Sequence, residues 1–175
     1  MKQLLTILFL AGFTIINAQI KQTRIDGFRD FKWGSHVDSL DRNGEPVAFI
    51  PATKVDLLNG GKFYTLPQEN LMLGSIVLTN IYYVFSDKTN KLYKVVLEGK
   101  KSDVESMDFI VDHKYGEHVN EAVDDDKISK QWIVADVTLS LYNFNYNKFE
   151  FELLSDWEAA EAYENAIALD DRRAA

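Results

Sequence analysis

The sequence predicts an α+β domain: a mainly antiparallel sheet built from hairpins, with two or three helices packed on it. Three observations predict this. Runs rich in β-branched and aromatic residues come as neighbours joined by short polar turns, at 75–98 and again at 130–154. Two segments with helical spacing, 102–115 and about 156–169, each open at a serine followed three residues later by a glutamate. No strand–helix–strand unit shows the continuous apolar runs of a parallel sheet.

The chain opens Met1-Lys2-Gln3, runs apolar from Leu4 to Ile16, and continues Asn17-Ala18-Gln19. A positive start, a short apolar stretch and a small residue form the pattern of a secretory signal peptide, cut after Ala18. The stretch is shorter than the roughly 20 residues that cross a bilayer. The expectation is removal of 1–18, leaving one domain over 19–175 in the periplasm or outside the cell. The chain has no cysteine, which excludes a lipoprotein anchor, disulfides and thiolate metal sites. Such a domain is held by core packing, and its length suffices to bury roughly two-thirds of the unfolded surface.

Phe28 to Trp33 alternates as a short strand, and Gly34 turns the chain. Ser35 can then cap a short helix carrying Val37 and Leu40, closed by Gly44. Val47–Ile50 and Lys62–Leu66 are short strand candidates around the turn signal Asn59-Gly60-Gly61. Ser75–Ser86 and Lys91–Glu98 read as a hairpin about Asp87-Lys88-Thr89-Asn90, the first strand apolar on both faces and so central. Helix 102–115 opens with the Ser102/Glu105 capping box. Val104, Met107, Ile110, Val111 and Tyr115 form its apolar stripe, and Gly116 ends it. Strand 130–142 puts Ile133, Ala135, Val137, Leu139 and Leu141 on the core side, with Trp132, Val134 and Tyr142 opposite. After a turn at Asn143–Asn147, Phe149, Phe151 and Leu153 return on the core face against Glu150 and Glu152. Ser155 with Glu158 begins the last helix, whose Trp157, Tyr163, Ala166 and Ile167 need something to cover.

The whole chain carries a net charge of −8, and the acids concentrate after residue 100. That balance argues against nucleic acid or anionic lipid as partner, since both require a basic footprint. No G-x-S-x-G elbow, S-x-x-K motif or phosphate-binding glycine loop occurs. His113 and His118 lie five apart across Gly116, which is the wrong spacing for a helical metal pair. Asp124-Asp125-Asp126 is read as a solvated loop, because three adjacent acids point in different directions whereas an EF-hand alternates its ligands. Glu150 and Glu152 share one strand face about 7 Å apart, as charges on any solvent face do.

The phrase Phe28-Arg29-Asp30-Phe31-Lys32-Trp33-Gly34-Ser35, followed by Val37 and Leu40, resembles the F-R-x-F-x-W-G-x-S opening of a family of small exported Gram-negative proteins. Tyr83-Val84-Phe85-Ser86-Asp87 with Lys91-Leu92-Tyr93 is similar to that family's Y-x-F…K-L-Y hairpin, and Tyr115-Gly116 and Trp132 fit its layout. The family is of uncharacterised function, so the resemblance implies fold and location only.

The functional expectation is an exported, non-enzymatic interaction protein of the cell envelope, with another envelope protein as partner and no cofactor. Its candidate surface is Trp132, Tyr142, Glu150, Glu152 and the acids Asp124, Asp125 and Asp126. The alternative is a small-ligand or glycan binder using Trp132 and Tyr142. An enzyme with a site assembled from scattered residues ranks third.

Overall fold

The computed structural model describes residues 24–42, 44–53, 61–124 and 127–156. The expectations for residues 1–18 as a signal peptide, for Asn59-Gly60, for Asp125 and Asp126, and for a last helix over about 156–169 lie outside the described residues, apart from Asp156.

The N-terminal strand expected over Phe28–Trp33 is instead a tight hairpin of β1 (Gly27–Phe28) and β2 (Phe31–Lys32). Arg29 sits at its tip with a φ of 54°. The turn points Phe28 and Phe31 inward, and both are buried. The helix expected after Ser35 shrinks to one 3-10 turn, Val37–Ser39. His36 caps it, its Nδ1 accepting from the Asp38 amide at 3.2 Å. Two minor strands, β3 (Asp41–Arg42) and β4 (Glu45–Pro46), pair with each other. β5 (Ile50–Pro51) takes only the end of the predicted Val47–Ile50 strand. β6 (Lys62–Thr65) and β7 (Met72–Leu73) then lead into the long hairpin of β8 (Ile76–Phe85) and β9 (Leu92–Lys100).

A 3-10 turn at Lys101–Asp103 precedes α1 (Val104–Tyr115), the one α-helix among the described residues. The domain is therefore richer in sheet than the two or three helices expected. The Ser102/Glu105 box is not made. Asp103 is the N-cap and has no side-chain cap bond, while the Ser102 hydroxyl donates to the Asp103 carboxylate at 3.5 Å. The C-terminus follows expectation: Gly116, at φ 100°, donates its amide to Asp112 O at 2.9 Å.

The predicted strand 130–142 is two strands with a reversal inside. β10 (Asn120–Asp124) pairs with β11 (Lys127–Val134), which pairs with β12 (Val137–Phe144), which pairs with β13 (Lys148–Ser155). The β11–β12 turn is only Ala135-Asp136, with Ala135 at φ 54°. Two-residue hairpin turns favour glycine or asparagine at such a position. Because the chain reverses there, Trp132 faces Leu139 and Val134 faces Val137 across the ladder. Trp132 and Val134 thus belong to the core face, contrary to simple alternation through the segment.

All strand pairs are antiparallel, and the main sheet runs β10-β11-β12-β13-β9-β8-β6-β5, with β7 added beside β8. On its inner face Leu139, Leu141, Phe149, Phe151, Val95, Leu97, Tyr83 and Phe85 form one core under α1 and the β1–β2 hairpin. Met107 and Val111 seal the helix onto it, both almost fully buried. Gly99 is needed in β9 because a Cβ there would run into the Phe149 ring on the neighbouring strand. At the β8 end the aromatics stack edge to face, with Phe31 and Tyr83 centroids 5.2 Å apart.

Candidate functional site

Strand register places most of the described candidate residues on the outer face of the sheet. One row crosses six strands as Ala122, Ser129, Tyr142, Glu150, Glu98 and Asn80. The neighbouring rows hold Glu152 opposite Ser140, and Asp124 opposite Lys127, itself opposite Phe144. Tyr142, Glu150, Glu152 and Asp124 therefore share a face. Trp132 does not. It is 1% exposed on the inner face, donates its Nε1 to Asp112 Oδ1 at 2.8 Å and meets Phe151 edge-on. Trp132 is a core anchor under α1, unable to reach a partner. Asp124 ends strand β10 and does not sit in a loop, and Asp125 and Asp126 are outside the described residues.

The carboxylates on this face are engaged by lysines. Glu150 and Glu98 stand directly opposite, an arrangement that like charges disfavour. Lys148 resolves it, its Nζ lying 2.5 Å from Glu150 and 3.4 Å from Glu98. Burial acts to lower the Lys148 pKa, but the hydrogen bond and charge of Glu150, with the charge of Glu98, raise it above its ordinary value. Glu98 also accepts from Asn80 Nδ2 at 3.0 Å and Tyr82 Oη at 3.4 Å. Glu152 pairs with the buried Lys94 at 3.4 Å. These groups form a structural network across β8, β9 and β13.

Two other features of this end of the sheet remain accessible. Tyr142, Phe144 and Tyr146 make a half-exposed aromatic row, with Phe144 and Tyr146 stacked at 5.1 Å. Lys127 lies over Tyr142, and Lys148 over Phe144. Beside the row, β10 is the terminal strand, and all five of its residues are exposed. No described residue pairs with its outer edge. Glu117, Glu121 and Asp124 fall in or next to it, with Lys130 opposite Glu121 and Lys127 opposite Asp124 on the neighbouring strand. Val119, Val123 and Ile128 expose apolar surface there, Val123 at 77%. The opposite edge, β5, is two residues long and includes Pro51, a residue that cannot donate to a ladder.

Sequence reasoning missed a second charged cluster entirely. The Glu69 side chain, 6% exposed, pairs with Arg29 and with Arg42 and takes a 3.3 Å hydrogen bond from the Tyr83 hydroxyl. Burial, then the charge of Glu69, pushes the Tyr83 phenol well above its ordinary pKa. The partners lie up to 40 residues apart, beyond any local motif. The histidines play local parts: His113 stacks on Phe109, while His118 packs edge-on against Trp132 with Nε2 3.5 Å from Glu121. Among the described residues no three metal-binding side chains gather, and no helix is long and apolar enough to cross a membrane.

Set against protein-family models, curated proteins and solved structures, the chain matches none of them. Its functional reading rests on its own geometry.

Proposed function

We propose that the protein is an exported, non-enzymatic interaction protein of the cell envelope that binds an extended, basic segment of another envelope protein along strand β10. The observation that carries this reading is the asymmetry of the sheet's two edges. An exposed terminal strand offers a row of N–H and C=O groups to an added strand, and natural proteins normally shorten such edges or break them with proline. β5 has both protections. β10 is five residues long, has no proline and is exposed throughout. Its acids favour a basic strand. They also oppose a second copy of β10, which would bring two acidic segments together. Export is part of the proposal; the Met1–Ala18 pattern and the resemblance carried by Phe28–Ser35 support it.

The test is affinity capture of the tagged protein from its own crosslinked envelope, compared with a Glu121→Lys/Asp124→Lys variant. One dominant protein, captured by the wild type and lost from the variant, supports the reading. Equal capture by both would remove its electrostatic basis.

The stacked aromatic row supports a second reading, in which Tyr142, Phe144 and Tyr146 form a platform for a sugar ring. A thermal-shift screen of envelope glycans checks it, and stabilisation should vanish in Tyr142→Ala.

A further inference from the structure

A separate site lies on the inner side of the molecule. Between α1 and the sheet is a cavity of about 270 Å³. The space is open to solvent on one side, where the exposed Lys114 stands, and measures roughly nine water volumes at about 30 Å³ each. Leu97, Phe151 and Leu153 form its floor, and Met107, Ile110 and Val111 its helical wall. Ile25 and Phe28, from the N-terminal segment, complete the apolar lining.

The charge on the wall is one-sided. The chain has 27 acidic and 19 basic residues, yet the lining includes Arg29 and Lys114 and no carboxylate. Arg29 spends part of its donor fork on Glu69 and on Met72 O, the latter at 3.3 Å. Lys114 is exposed, lies 5.1 Å from the Tyr115 ring centroid, and makes no ion pair among the described residues. An apolar chamber with cations on its wall matches a molecule with one hydrocarbon chain and an anionic head. Taking a methylene as about one water volume, the space fits one chain of roughly eight to ten carbons.

We infer that this pocket binds a single-chain anionic amphiphile of medium length, with the carboxylate held by Lys114 and the chain over the half-buried Leu73, Ile110 and Tyr115, above Met107. This site is independent of the β10 edge, and either can fail alone.

The test titrates the purified protein with decanoate, decyltrimethylammonium and acetate by calorimetry, and follows the ¹³C-methyl signals of the methionines. Expected is saturable one-to-one binding of decanoate alone, weakened at least tenfold by Lys114→Gln. The Met107 signal should shift and that of Met72, which does not line the cavity, should stay. Lys114 is exposed, so its replacement leaves the fold intact. Absence of saturable decanoate binding would overturn the inference, as would equal binding of the cationic amphiphile. An unmoved Met107 signal, or full affinity in Lys114→Gln, would overturn it as well.

Discussion

At the scale of single residues, the buried polar groups set the sensitive points. Trp132 spans from the sheet to α1 through its bond to Asp112, so Trp132→Phe keeps most of the apolar packing but strands a carboxylate. The expected loss is about 1–3 kcal/mol in urea unfolding, and an unchanged midpoint would refute the anchoring role. Tyr83 gives a pH signature. Its folded pKa is raised above the ordinary value near 10, so its contribution is intact below pH 10. Above that, the unfolded phenol ionises first and stability falls, by at most about 1.4 kcal/mol per pH unit. Tyr83→Phe should flatten the alkaline limb of stability against pH, and identical slopes in both proteins would contradict this origin. The same scale separates the candidate residues from one another. Glu150 and Glu152 were legible as neighbours on one strand face, but their pairing with Lys148 and Lys94 depends on partners brought in by register. Neutralising them perturbs the sheet before it perturbs binding, whereas Glu121 and Asp124 lie on the exposed terminal strand where the partner would add.

At the scale of elements, strong local signals translated well and silent turns did not. The β8–β9 hairpin carried its turn residues in plain view, and Asn90 takes the positive φ of 54° that asparagine tolerates. Helix α1 kept its apolar stripe and its terminal Gly116. The β11–β12 reversal had no glycine, proline or asparagine to announce it, and Ala135 occupies a left-handed conformation costing roughly 1–2 kcal/mol. Missing that turn put Trp132 on the wrong face, since a reversal changes which residues share a side. Ala135→Gly should therefore stabilise the domain by about 0.5–1 kcal/mol, read from the urea midpoint; destabilisation would mean that the alanine side chain makes compensating contacts. The N-terminal phrase was read as a strand because it alternates, whereas the turn at Arg29 folds it in half. What made the turn worthwhile is tertiary: Phe28 and Phe31 both pack against Tyr83.

At the scale of the whole molecule, the fold divides its surfaces by task. The inner face holds the core and the cavity beneath α1, the middle of the outer face is a lysine–carboxylate network, and the acidic strand β10 stands at one end. None of that division was legible in the sequence, because edge position, charge pairing and cavity walls arise only when distant strands are ordered side by side. Charge balance did point to the C-terminal half, and β10 lies in it. A basic partner held by exposed acids is screened by salt, so binding should weaken as ionic strength rises past about 0.15 M, where the screening length is near 8 Å. The most direct measurement places a photocrosslinking amino acid at Val123 on β10, with a control at Ile50 on β5, in cells that make the protein. A single adduct formed from Val123, absent from Ile50 and lost with Glu121→Lys/Asp124→Lys, is the result expected of an edge that accepts a basic strand. Equal labelling at the two positions, or no adduct at Val123, would contradict it.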